Sequence, residues 1–180
     1  VLRGCCSSLR CITAGVPQGS ILGPLLFLIY INDFGANLIS DSYLFADDSS
    51  LVHQFTSSNS LVAIDTLNKD LVCISNWAKD WRITFNTNKT VLMVFSLKVP
   101  AAPDFSLVFG CSVIYPVLTH KHLGVVLSSN LKWTNHIDYV ISRANQKIGL
   151  LRRQGKFLTF DQKCAMYLNM IRPAVEYSAI

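Results

Sequence analysis

The chain is poor in charge. Only 15% of its 180 residues are Asp, Glu, Lys or Arg, against 51% that are hydrophobic. That ratio excludes a disordered chain and leaves enough apolar mass for a substantial core. The length suits one domain, or a domain with a small appendage. No run is long enough to span a bilayer: the most apolar stretch, residues 21–31, has the length of a core helix. A charged start followed by a signal-like apolar core is also lacking. The cysteines Cys5, Cys6, Cys11, Cys73, Cys111 and Cys164 form no Cys-x-x-Cys pair, and no histidine spacing completes a zinc site. They read as free thiols in a reducing compartment, so an intracellular protein, nuclear or cytoplasmic and not secreted, is expected. His53, His120, His122 and His136 show no triad-like or metal-like spacing and are assigned no chemistry. Repeats and low-complexity segments are absent. Val1 at the start and an ending inside an apparent helix at Ile180 read as a piece of something longer.

What is present is unevenly placed. The formal charge is +5, but residues 1–118 hold seven Lys/Arg against eight Asp, and residues 119–180 hold nine against three acids. A basic final third beside a carboxylate-bearing front suits a polyanion partner, and also an ordinary basic surface. Residues 1–14 read as a strand pair. In the helix that follows a Gly-rich loop, Ser20 can cap the start, Pro24 suits the first turn and Gly35 the stop. That helix is apolar on nearly every face, so burial on all sides is expected. A second helix over residues 59–79 carries Leu61, Ile64, Leu67, Leu71, Ile74, Trp77 and Trp81 at steps of three or four, leaving Lys69, Asp70, Lys79 and Asp80 to face water. Strands are expected over 90–96, 105–109, 113–118 and 122–127, the last two joined near Thr119-His120. Further helices start at Thr134 and run over 160–179. The order is not a regular βαβα alternation. It points to an α+β fold, an antiparallel sheet with helices followed by a helical appendage.

Phe45-Ala46-Asp47-Asp48 is the most informative segment. Residues 43–46 read as a buried strand and 49–53 as its return partner, with Asp47-Asp48 as a tight two-residue turn between them. Two carboxylates backed by apolar walls are costly to desolvate unless something positive sits beside them. Mg²⁺, which takes one or two carboxylates plus substrate phosphates, would satisfy them. Asp-Asp is also an ordinary turn dipeptide.

Other motifs stand in order around this pair. Gly15-Val16-Pro17-Gln18-Gly19-Ser20-Ile21-Leu22-Gly23-Pro24-Leu25-Leu26-Phe27 precedes Tyr30-Ile31-Asn32-Asp33 and then the aspartates. Trp77-Ala78-x-x-Trp81, Phe85-Asn86-x-x-Lys89-Thr90, His122-Leu123-Gly124-Val125, Trp133, His136-Ile137, Arg143-Ala144-Asn145 and Arg172-Pro173-x-x-Glu176-Tyr177 follow. Together they resemble the core of a reverse transcriptase of the non-LTR, LINE-type retrotransposon class, particularly jockey-like elements, across essentially the whole chain. The resemblance implies a partial palm over residues 1–118, a primer-grip-like hairpin over 119–130 and a partial thumb over 131–180. It implies an RNA-directed DNA polymerase with RNA template, DNA primer and dNTP as partners, and two Mg²⁺ (or Mn²⁺) ions.

The same resemblance places Asp47 as a metal ligand and Asp48 at the metal site or primer end. Pro17, Gln18, Gly19 and Ser20, with Phe45 and Ala46, are placed at template and incoming nucleotide. Their loop feeds a helix N-terminus, where backbone N–H groups favour phosphate; the alternative is a simple helix-entry turn. Phe45 stands where Tyr is common in this box. Lys89 is placed as a general acid toward departing pyrophosphate, and a solvated lysine is the alternative. Leu123 and Gly124 would shape the primer grip, or only a tight hairpin. Arg143, Lys147, Arg152, Arg153 and Lys156 are candidates for backbone phosphates. Trp133 can stack on a base or pack in the core. Residues 1–14 contain no acidic residue. The third catalytic aspartate that the resemblance implies is therefore not expected within this chain, nor are the family's fingers, endonuclease or zinc knuckle, and the chain alone is expected not to polymerise. The competing reading is a degenerate remnant that at most binds nucleic acid.

Overall fold

A computed structural model of the chain describes residues 19–97 and 105–177. The expected strand pair over 1–14, and Gly15, Pro17 and Gln18, lie outside the described residues. The chain divides into two compact units, Val1–Phe85 and Asn86–Ile180.

The first unit begins with α1, Leu22–Ile31. As expected, the Ser20 hydroxyl accepts the Gly23 N–H at 3.0 Å, and Pro24 sits in the first turn, where no N–H is needed. The expected burial on all sides is not met. Only Gly23 and Ile31 are buried, and Leu22, Leu25, Leu26, Leu28 and Ile29 are each more than half exposed. A helix apolar all round needs cover on every face, and no described helix or strand packs extensively along this one.

The hairpin of β1 (Asp41–Phe45) and β2 (Asp48–Val52) follows, with Phe45 opposite Asp48 and Asp41 opposite Val52. The turn therefore falls on Ala46-Asp47, one residue earlier than expected. Ala46 carries φ +52°, and positive φ in the turn matches the twist of paired strands. Nor is the hairpin buried, since Tyr43 and Phe45 are mostly exposed. Two strands alone offer two faces, and among the described residues no helix or further strand packs extensively on either.

Helix α2, Ser60–Asp80, matches its expected span to within a residue. Its entry turn is closed by Thr56 N–H donating to Asn59 Oδ1 at 2.6 Å. The buried face is rotated from the expected stripe. Leu61 is exposed, while Ala63, Asp70, Leu71, Ile74 and Ala78 are buried. Asp70, expected to face water, is 1% exposed. Its two oxygens accept the Ile39 and Ser40 N–H groups, each at 2.9 Å, which offsets desolvation. Aromatic rings fill the rest of the core: Phe34 meets Trp77 edge-on at 5.3 Å, and Trp77 Nε1 donates to Asp33 Oδ1 at 2.9 Å.

In the second unit the strand expected over 90–96 is reduced to a bridge between Leu92 and Pro116. Two antiparallel hairpins follow, β3 (Leu107–Phe109) with β4 (Ser112–Ile114), and β5 (Thr119–His122) with β6 (Val125–Ser128). The turn expected near Thr119-His120 lies instead at Leu123-Gly124, where φ is +46° and +89°. Positive φ at both central residues suits a two-residue hairpin, and Gly supplies it without strain. Phe105, Leu107, Phe109, Ile114 and Ile171 are buried in this unit. Helix α3, Thr134–Gln154, starts where expected. The single helix expected over 160–179 is interrupted: α4 (Phe160–Met166) passes through a π-helical turn, Tyr167–Ile171, into α5 (Arg172–Glu176). Pro173 has no N–H for the normal ladder, and the Arg172 N–H reaches back to Tyr167 O, five residues earlier. The α+β class holds, with helices and, among the described residues, three two-stranded antiparallel sheets.

Candidate functional site

Asp47 is the second central residue of the β1–β2 turn, and Asp48 is the first residue of β2. Both are exposed. Asp47 takes a turn conformation and Asp48 a strand one, so the two carboxylates are not equivalent. The open end of the hairpin is braced where β1 begins. Asp70 holds the Ile39 and Ser40 N–H groups, and the Ser40 hydroxyl lies 3.2 Å from His53 Nδ1, just past β2. Asp70 thus serves backbone rather than the imidazole, so Ser40, His53 and Asp70 are not a catalytic triad. Phe45 and Ala46, the residues before the pair, are exposed with it.

Two exposed carboxylates on adjacent residues fit one Mg²⁺ whose other ligands are water and phosphate. Among the described residues, no cluster of three or more His, Cys, Asp or Glu side chains is placed to hold an ion. A fuller carboxylate set is therefore not assembled by them. Gly19 is exposed with φ +84° and nothing close to it, and Ser20 caps α1. Pro17 and Gln18 lie outside the described residues.

The remaining candidates stand in the second unit. Lys89 is exposed in a turn closed by its N–H to Asn86 O, 3.0 Å, and by Asn88 N–H to Asn86 Oδ1, 3.1 Å. Leu123 and Gly124 form the β5–β6 turn. The space beside Gly124 is occupied by this chain's own Tyr177. A Cβ there would lie 2.8 Å from Tyr177 Cε1, and the Tyr177 hydroxyl donates to Leu123 O at 3.0 Å. Lys147 donates to Met170 O at 2.7 Å, fastening α3 to the π-helical turn. Arg152 and Arg153 are exposed in the last turn of α3, where cations also suit the helix dipole, and Lys156 is exposed just beyond. Trp133 is partly exposed, edge-on to His136 at 6.0 Å.

Arg143 has an arrangement the sequence reading missed. Its Nη1 donates to the Tyr139 hydroxyl at 2.8 Å, and Lys121 Nζ donates to the same oxygen at 2.6 Å. Lys121, then Arg143, hold the Tyr139 phenol below its ordinary pKa, with desolvation opposing them. Buried His136 ties α3 to β6 by accepting the Val126 N–H on Nδ1 at 3.1 Å. Asp70, Lys121, Tyr139 and Tyr177 were all unassigned. Two had a local signal: Asp70 shares helical spacing with Ala63, Ile74 and Ala78, and Tyr139 stands four residues before Arg143. Lys121 and Tyr177 had none, because their partners are distant in sequence.

The family profile described as reverse transcriptase (RNA-dependent DNA polymerase) matches residues 2–161. The chain is 29% identical, over 97% of its length, to the RNA-directed DNA polymerase from mobile element jockey of Drosophila funebris. It is 31% identical, over 92%, to the probable RNA-directed DNA polymerase from transposon X-element of Drosophila melanogaster, and 27% identical, over 91%, to that from transposon BS of the same fly. The chain spans about a fifth of the length of these relatives, 20%, 19% and 19% respectively. No solved structure matches it at a significant level.

Proposed function

Because the chain belongs to the reverse transcriptase (RNA-dependent DNA polymerase) family, we propose that it is the part of a jockey-like retrotransposon polymerase that carries the Asp47–Asp48 hairpin and the surfaces for primer and template. The observation that carries this reading is the placement of both carboxylates at an exposed hairpin tip whose base Asp70 pins to α2. In this reading residues 1–118 form palm, 119–130 the primer-grip-like hairpin and 131–180 the start of the thumb. The partners are RNA template, DNA primer and dNTP.

Asp47 and Asp48 would hold Mg²⁺ or Mn²⁺, which stabilises the attacking and leaving oxygens of phosphoryl transfer when two ions are bound. The chain's own residues do the rest. Pro17, Gln18, Gly19, Ser20, Phe45 and Ala46 position template and incoming nucleotide. Lys89 neutralises or protonates the departing pyrophosphate. Leu123 and Gly124 hold the primer end, and Arg143, Lys147, Arg152 and Arg153 meet backbone phosphates.

The test is primer extension on an RNA template by a polymerase of the family carrying this segment. Asp47→Asn is expected to abolish Mg²⁺-dependent extension, and near-normal activity would refute the role of Asp47. A second reading, a nucleic-acid-binding module without polymerase activity, is favoured by one observation. Among the described residues no third carboxylate joins the pair. The 180 residues alone are expected to bind an RNA–DNA duplex without extending its primer, and robust extension by them would refute that expectation.

A further inference from the structure

Lys121 on β5 and Arg143 on α3 converge on a single neutral oxygen. Their donor nitrogens lie 2.6 and 2.8 Å from the Tyr139 hydroxyl, and the two cations stand 4.6 and 5.7 Å from the centroid of the same ring. A phenol oxygen has two lone pairs, and both are used. The like charges of Lys121 and Arg143 are thereby held a few ångströms apart, which Coulomb repulsion opposes. Among the described residues neither cation is in an ion pair; the ion pairs there are Lys69–Asp65 and Arg172–Glu176. Asp138, the one acid on α3, forms none. The ammonium and guanidinium retain N–H donors beyond the one each gives to Tyr139. Both side chains are exposed, so those donors are accessible to a ligand. Convergent Lys and Arg donors match the non-bridging oxygens of a phosphate.

We propose that Lys121, Tyr139 and Arg143 form a subsite for one backbone phosphate of a nucleic-acid duplex, with the Tyr139 hydroxyl as the positioning group that holds the two cations together. The inference rests on the polymerase reading and adds two residues, Lys121 and Tyr139, that it did not contain. A phosphodiester fits better than a free phosphate. The subsite is open, and residues 119–180 carry nine Lys/Arg against three acids, so a long polyanion gains neighbouring contacts that a single ion does not.

The test is fluorescence anisotropy of an RNA–DNA duplex with the 180-residue chain across a salt series. Circular dichroism checks the fold of each variant. Lys121→Gln and Arg143→Gln are each expected to weaken binding about tenfold at low salt, and to flatten the log–log salt dependence by about one ion. Lys132→Gln removes the same charge from a loop outside the subsite and is expected to change neither appreciably. Tyr139→Phe keeps the ring and both charges. It is expected to weaken binding several-fold with the salt dependence intact, and this variant decides the matter if Lys121→Gln does not fold. Duplex binding in which Lys121→Gln behaves like Lys132→Gln overturns the subsite and leaves the polymerase reading standing. No duplex binding by the unmutated chain overturns both. Inorganic phosphate that binds at Lys121 and Arg143, while duplex affinity ignores their loss, overturns the assignment to a duplex.

Discussion

The Asp70 carboxylate gives both oxygens to backbone N–H groups at the entrance to β1, so its removal strands two donors beside a buried side chain. Asp70→Ala is expected to destabilise the fold by about 3 kcal/mol in urea denaturation, and a loss under about 0.5 kcal/mol would show that the brace is unimportant. Tyr139 is the other residue with a sharp expectation. Lys121 first, and Arg143 second, favour its phenolate and lower its pKa from near 10. The folded chain therefore releases that proton earlier than the unfolded chain does. The associated stabilisation is fully present above the ordinary value near 10 and is lost as pH falls through the lowered folded value. Tyr139 should ionise early in an ultraviolet titration, and Lys121→Gln should move it back upward. Neither residue was legible from its chemistry alone. Asp70 looked like a helix-surface charge, because nothing next to it in sequence announces the N–H groups 30 and 31 residues away that it serves.

Elements whose signals are local were the legible ones. Helices α2 and α3 were anticipated because a 3.6-residue period and their boundary residues are written in consecutive positions. Both tested hairpin turns were anticipated within a few residues and then misplaced, because the choice of central residues depends on which ones take positive φ. Gly124 shows how far such a choice reaches. At φ +89°, with the Tyr177 ring where a Cβ would go, Gly124→Ala is expected to cost about 1–3 kcal/mol. Gly110→Ala serves as the control. It has φ +61° and open space around it, so it bears only the backbone strain and should cost about 1 kcal/mol. Equal urea midpoints for the two variants would remove Tyr177 from the account. The break between α4 and α5 had a visible cause in Pro173. The period on either side of it suggested one continuous helix all the same.

At the scale of the whole chain, the main departure from expectation is the amount of apolar surface left uncovered. Leu22, Leu25, Leu26, Leu28 and Ile29 on α1, with Tyr43 and Phe45 on β1, are exposed, and surface this apolar marks interaction or association. The 180-residue chain is expected to bind a hydrophobic dye such as ANS and to associate with rising concentration. Leu25→Lys with Ile29→Lys should reduce both, and a monodisperse, dye-silent chain would contradict the exposure. Among the described residues, no helix is long and apolar enough to cross a membrane, so the length of α1 sets it apart from a membrane span. The sequence by itself determined the family, the α+β class, the order of the motifs and the spans of α2 and α3. Each of these is carried by residue identity and short-range period, which need no knowledge of what lies opposite. Only the tertiary structure decided which face of α2 is buried, that Asp70 braces the aspartate hairpin, that Tyr177 fills the space beside Gly124, and that Lys121 and Arg143 share one phenol oxygen. Those are meetings between residues far apart along the chain, and burial and pairing are properties of such meetings rather than of any residue alone.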